Sequence, residues 1–268
     1  MTTVSEMRNM FDVTGKVAVV VGAGSGIGQA IAYAFGANGA KVIAADINKD
    51  TLDATVATIK AEGGEALGVV CDSTKLEDVR HLASEAIEAH GRIDCLYAVP
   101  GMNVRKSIAN YSYEEFDKVV NLNLRGTFIL IKEIGKEIAK NKEGGSIVVM
   151  SSIRSIVTEP GQSVYAATKA GMVMLAKTLA AELGKSNVRV NAIAPGVIET
   201  PLTAQIKNNP DWYNAYVNKS ALKRWGQPRE VAGPALFLAT KAASFITGTV
   251  LFVDGGWTAV DGRYEPNV

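Results

Sequence analysis

Short apolar runs and amphipathic stretches alternate along most of the chain. The runs "VAVVV" (17–21), "KVIAAD" (41–46), "EALGVVCD" (65–72), "IDCLYAV" (93–99), "SIVVMSS" (146–152), "NVRVNAIAPG" (187–196) and "TVLFV" (249–253) read as strands. Helical periodicity follows the first run. It returns over 49–63, 75–91, 113–140, 163–184 and 228–239. Apolar strands separated by helices indicate a parallel sheet covered on both faces. The expected fold class is therefore α/β: a single doubly wound parallel sheet (a Rossmann fold) of about seven strands, in one domain spanning 1–268. The stretch from about 197 to 222, rich in Asn, Pro and aromatics, is expected as an irregular inserted lobe beside the substrate.

Composition excludes several alternatives. The chain has 268 residues, 47% hydrophobic and 21% charged, as befits a soluble globular protein with a sizeable core. A net charge of +1 and the lack of a basic run argue against nucleic acid or an anionic membrane as partner. Residues 17–40 carry no charge and are long enough to cross a bilayer, and Gly22 and Gly26 have the spacing of a membrane pairing motif. Six glycines, Gln29 and Asn38 in that segment, and its strand–turn–helix order, favour the soluble reading. Cys71 and Cys95 form no disulfide framework, and with His81 and His90 they lack zinc-site spacing. A reducing cytoplasm and no metal are expected. The N-terminus shows no signal-peptide pattern.

"VVVGAGSGIGQAIA" (19–32) places Gly22, Gly26 and Gly28 between the first strand and its helix. Glycine allows the tight turn and lets backbone approach a pyrophosphate, and the helix start offers unpaired N–H groups. The Lys-Ser/Thr of a triphosphate loop is missing, since Gln29 follows Gly28. Asp46 ends the second strand 20 residues after Gly26. Its carboxylate suits the ribose hydroxyls of NAD and repels a 2′-phosphate, and neither Ser25 nor Ile47 supplies a positive charge for one. The alternative for Asp46 is an ordinary loop or cap residue. Asp72 either meets the adenine edge or caps the helix ahead of Lys75.

"SVYAATKAG" (163–171) puts Tyr165 and Lys169 on one helical face with small residues between them. An ammonium beside a phenol stabilises phenolate and lowers its pKa from about 10, toward the range of acid–base work. Ser152, thirteen residues upstream, closes the preceding strand. Strand ends and helix starts meet where α/β proteins bind ligands.

In these motifs the chain resembles the short-chain dehydrogenase/reductase family, from about residue 14 to 257. The family's cofactor glycines match Gly22, Gly26 and Gly28, and its catalytic Asn, Ser, Tyr and Lys match Asn123, Ser152, Tyr165 and Lys169. Its nicotinamide-side "PG" segment matches Pro195 and Gly196, followed by Ile198 and Thr200. The resemblance implies that Tyr165 exchanges the proton of the substrate oxygen and Ser152 hydrogen-bonds that oxygen. Lys169 would hold the cofactor ribose and depress the Tyr165 pKa, and Asn123 would hold a water leading from Lys169 to solvent. The NAD site is expected to comprise Gly22, Ser25, Gly26, Ile27, Gly28, Asp46, Ile47, Asp72, Ser73, Gly101, Tyr165, Lys169, Pro195, Gly196, Ile198 and Thr200. One departure stands out: the family's usual "NNAG" is "AVPG" (98–101) here, which removes two bracing amides.

Asn103, Arg105 and Lys106 after the fourth strand, and Arg154 after the fifth, should rim the substrate. Asn103, Arg105 and Arg154 join Ser152 and Tyr165 as the substrate residues. The guanidinium fork suits a carboxylate, sulfonate or phosphate tail; the alternative pairs the arginines with Glu159 or Glu199. Trp212, Tyr213 and Tyr216 either wall the pocket or pack the lobe. The reading favoured is an NAD-dependent dehydrogenase of a sugar, polyol or sugar-acid-like alcohol. A 3-oxoacyl-thioester reductase shares the motif set but in this family typically uses NADPH, and a non-catalytic NAD-binding protein would not need the catalytic set. The family implies a homotetramer, with Ala166, Ala170, Gly171 and Ala180 letting paired helices approach. The C-terminal tail, with Trp257, Arg263 and Tyr264, either reaches a neighbour's active site or packs on its own subunit.

Overall fold

The structure, a computed structural model, describes Val4, Met7 and residues 9–261. Strands β1 (Val17–Val21), β2 (Lys41–Asp46), β3 (Glu65–Val70), β4 (Cys95–Ala98), β5 (Gly145–Met150), β6 (Val188–Pro195) and β7 (Val250–Val253) form one parallel sheet in the order β3-β2-β1-β4-β5-β6-β7. The helices are α1 (Gly26–Ala37), α2 (Lys49–Ala61), α3 (Leu76–His90), α4 (Tyr113–Val120), α5 (Thr127–Ile138), α6 (Ser163–Leu183), α7 (Ala204–Lys207), α8 (Pro210–Lys219) and α9 (Pro228–Ala239). The fold class is the one the hydrophobic pattern predicts.

Side chains that alternate along β1 divide the core in two. Val17, Val19 and Val21 join Val79 and Leu82 of α3, Ile134 of α5 and Met172 of α6 on one face. Ala18 and Val20 join Ile31 and Phe35 of α1, Leu52 of α2 and Val231 of α9 on the other. Each large apolar side chain so enclosed contributes about 1.5–3 kcal/mol. Strand order reverses at β1, whose neighbours are β2 and β4. Val21 lies in register with Ala45 of β2 and Ala98 of β4, so the three strands end together at this switch point.

Three expectations are corrected. The helix expected over 113–140 is interrupted by a π-helical stretch, Asn121–Gly126. The extra residue shifts the apolar phase over six residues only, too short a stretch for periodicity to show. The lobe expected to be irregular holds α7 and α8. Asn209 caps α8 by accepting a bond from the Trp212 N–H, and Pro210 supplies its first residue. Finally, Ala180 is buried in the core of its own chain, so this small residue does not form an outer helix-pairing surface. Among the described residues, no helix is long and apolar enough to cross a membrane.

Candidate active site

A cleft of about 400 Å³ opens where β1, β2 and β4 end. Its floor is the turn from β1 into α1. Gly28 must be glycine there, since a Cβ would stand 2.0 Å from the Gly22 carbonyl oxygen. Ser25 precedes α1 without a side-chain capping bond, and Ser25, Gly26, Ile27 and Gly28 all line the cleft. Unpaired N–H groups and the positive end of the helix dipole suit a pyrophosphate.

The adenosine side is built by strand ends. Asp46 accepts the Gly24 N–H on Oδ2 (2.8 Å) and the Asn48 N–H on Oδ1 (3.0 Å), which fixes its carboxylate beside the glycine turn. Ile47, Asp72 and Ser73 line the same wall. Asp72 accepts from both the backbone and the hydroxyl of Thr74, and these bonds hold its carboxyl below the usual range despite burial. It shapes the turn into α3 while facing the cleft. Gly101, Pro195, Gly196, Ile198 and Thr200 complete the wall, so every residue expected at the cofactor meets in this one cleft. Ala98 and Val99 stand where the two family amides are missing, and Pro100 after them lies against Gly22. The residues present fit a nicotinamide dinucleotide.

Tyr165 and Lys169 lie one turn apart on α6 and line the cleft with Ser152. Lys169 is 3% exposed; its Nζ donates to the Met150 carbonyl (2.7 Å) and lies 5.5 Å from the Tyr165 ring centroid. A Cβ on Gly101 would stand 3.2 Å from that Nζ, so glycine there keeps the lysine's space open. Asn123, in the π-helical stretch, braces the passing loop. Its Oδ1 accepts the Met102 N–H (2.8 Å), and its Nδ2 donates to the Met102 carbonyl and to Thr168.

The expected electrostatics need correction. Lys169 does not bring the Tyr165 phenol below its ordinary value. Burial holds the phenol above its ordinary value, opposed by the hydrogen bond with Ser152 and the charges of Arg105 and Arg154. Burial also pushes Lys169 down to about 7, so its own charge is weak near neutrality.

A smaller cavity adjoins Tyr165, lined by Asn103, Arg105, Ser152, Arg154, Gln162 and Tyr216 among others. Both arginines bond Glu159: Arg105 Nη1 at 3.1 Å and Arg154 Nη2 at 2.9 Å. They therefore make the ion pairs that were the alternative reading, and they face the cavity as well. The aromatics divide their tasks. Tyr216 walls the cavity, Tyr213 stacks on Trp225, and Trp212 lies under the Arg105 guanidinium. Trp257 packs on Tyr216 and beneath Arg154 of its own chain. Arg263 and Tyr264 lie outside the described residues. The sequence reading missed Gln162, and Ser151, whose hydroxyl donates to the Lys169 carbonyl. Position next to Ser152 was the available signal for Ser151.

Known proteins with the same frame give the site its context. The family model described as Enoyl-(Acyl carrier protein) reductase matches residues 22–258. The 3-oxoacyl-(acyl-carrier-protein) reductase of Thermotoga maritima is 38% identical over 242 residues, 90% of this chain and 97% of that protein. The 2-dehydro-3-deoxy-D-gluconate 5-dehydrogenase of Formosa agariphila is 33% identical, covering 95% of this chain and 97% of its own. A crystal structure of a putative NAD(P)-dependent gluconate 5-dehydrogenase from Beutenbergia cavernae, with bound NADP at low occupancy, superposes with a TM-score of 0.89 at 35% identity, covering 94% of this chain and 100% of that one. With the glycine turn, Ser152, Tyr165 and Lys169 in one cleft, the chain belongs to the short-chain dehydrogenase/reductase family of oxidoreductases, which bind a nicotinamide dinucleotide.

Proposed function

We propose that the protein transfers a hydride between NAD(H) and a secondary alcohol or ketone on a sugar, polyol or sugar acid. When bound, the nicotinamide supplies the hydride acceptor. Tyr165 takes the proton from the substrate hydroxyl in the oxidation direction and returns it in reduction. Ser152 holds the same oxygen, Lys169 holds the cofactor ribose, and Asn123 carries the water through which Lys169 reaches solvent. Asn103, Arg105 and Arg154 receive the substrate's polar or anionic tail.

Asp46 is the observation that carries the cofactor choice. Its carboxylate lines the cleft at the end of β2, and among the described residues no Arg lines that cleft. A 2′-phosphate would meet a negative charge without a guanidinium to hold it. The two guanidiniums beside Tyr165 support an acidic or hydroxyl-rich substrate. The likeness to the Thermotoga reductase keeps a second reading, reduction of a 3-oxoacyl thioester. The enzyme works in the cytoplasm as a homotetramer in this proposal; exposed Phe116, Phe128 and Met174 on α4, α5 and α6 offer apolar surface for helix pairing. Reduction of NAD⁺ and NADP⁺ across sugars, polyols and sugar acids, beside oxidation of NADH and NADPH by a 3-oxoacyl thioester, tests the choice. Higher kcat/KM on the thioester, or equal efficiency with NADP⁺, would overturn it.

A further inference from the structure

The cavity beside Tyr165 has a feature its lining alone does not explain. Its charged walls, among the described residues, are Arg105 and Arg154. Glu159 stands behind that wall, on an outer cleft shared with Thr158, Lys219 and Trp257. Yet four residues of the inner wall donate to its carboxylate. Arg105 Nη1 (3.1 Å), Gln162 Nε2 and the Tyr216 hydroxyl bond Oε1, and Arg154 Nη2 (2.9 Å) bonds Oε2. These donors come from the loop after β4, the segment between β5 and α6, and α8. One carboxylate fastens three parts of the wall.

Its surroundings keep that charge effective. Arg154 is 7% exposed, and Arg105 and Glu159 are 21% and 22% exposed. Trp212 and Trp257 lie against the two guanidiniums, at 5.1 and 5.6 Å from their ring centroids. Of the neighbouring cations, Lys106 pairs with Glu115, and Lys219 lines the outer cleft together with Asp261 and not the inner cavity. Two guanidiniums against one carboxylate leave the wall with one uncompensated positive charge. A singly charged ligand balances it. A doubly charged ligand would leave a surplus negative charge beside Glu159, and like charges so placed are costly.

We propose that Glu159 is a positioning and specificity-determining residue, which fixes both arginines and sets the site to accept a monoanionic acid in preference to a dianionic one. This rests on the acidic-substrate reading above. The test is binding of D-glucitol, D-gluconate and D-glucarate (charges 0, −1 and −2) to the NADH-bound protein, followed by calorimetry. Wild type should bind gluconate tightest of the three. Glu159→Gln should shift the glucarate-to-gluconate affinity ratio toward glucarate about tenfold, equivalent to about 1.4 kcal/mol. Glu159→Asp, which keeps the charge, should hold that ratio within about twofold. An unmoved ratio in Glu159→Gln, or an equal shift in Glu159→Asp, overturns the proposal. Should Glu159→Gln alone fail to fold, the charge count is read from Arg105→Gln. That variant should lose the preference for gluconate over glucitol, and adding Glu159→Gln to it should restore the preference; equal loss in both overturns the proposal. Wild type binding gluconate no more tightly than glucitol would instead overturn the acidic-substrate reading itself.

Discussion

Lys169 should be a cost to the folded protein, and replacing it should raise stability while ending turnover. The side chain is 3% exposed and its Nζ bonds the Met150 carbonyl. Burial lowers its pKa from 10.5 to about 7, which corresponds to on the order of 5 kcal/mol against the charged form. Lys169→Met removes that penalty and leaves the Met150 carbonyl unpaired, at about 1–3 kcal/mol. The net expectation at pH 6 is a gain of about 2–4 kcal/mol, or several degrees in Tm for a chain of this size. The sign with pH follows from proton counting. Below 7 both states hold the proton and the whole penalty acts. Between about 7 and 10.5 the unfolded chain keeps a proton that the folded one has released, so wild-type stability gains with pH from this group. The advantage of Lys169→Met should therefore be largest at pH 6 and shrink toward pH 9.5. Urea or thermal unfolding of the ligand-free protein at the two pH values measures it. A variant less stable than wild type at pH 6, or a difference unchanged with pH, would refute the reasoning.

Asp46→Ala should narrow the preference for NAD⁺ over NADP⁺ by about tenfold or more, since removing a like charge is worth at least 1.4 kcal/mol at such a site; an unchanged kcat/KM ratio would show that Asp46 does not face the ribose. Arg154→Ala should lose on the order of 1.5–3 kcal/mol in kcat/KM on an acidic substrate and much less on a small neutral alcohol. The same variant removes a positive charge that holds the Tyr165 phenol down, so the acidic limb of the oxidation rate should move to higher pH; a shift to lower pH would contradict it.

The parts of this site that were legible in sequence depend on spacing within one element or across one turn. Gly22, Gly26 and Gly28 sit on a single strand-to-helix turn, Asp46 ends the neighbouring strand, and Tyr165 and Lys169 share one helix face. Pairing of Arg105 and Arg154 with Glu159 was open to the sequence only as an alternative, and the further bonds from Gln162 and Tyr216 were not legible, because the donors come from three segments. The π-helical stretch around Asn123 was hidden because six residues are too few to establish a period of their own. The α8 helix does carry its signal in Asn209 and Pro210, but the aromatic, polar composition of 197–222 shows no apolar period beside it. The raised pKa of Tyr165 is not legible in sequence, because spacing reveals the neighbouring ammonium and not the burial that raises the phenol and lowers the lysine.

The central claim is that Tyr165 exchanges the substrate proton in a cleft that binds NAD(H). The most direct measurement compares wild type with Tyr165→Phe for NAD⁺ reduction by the best substrate of the sugar, polyol and sugar-acid panel, and for NADH binding by fluorescence. The expected result is a fall in kcat of about 10²–10⁴-fold with NADH affinity held within a few-fold, because the change deletes the proton carrier and little else. A variant that keeps near-native kcat would contradict the account.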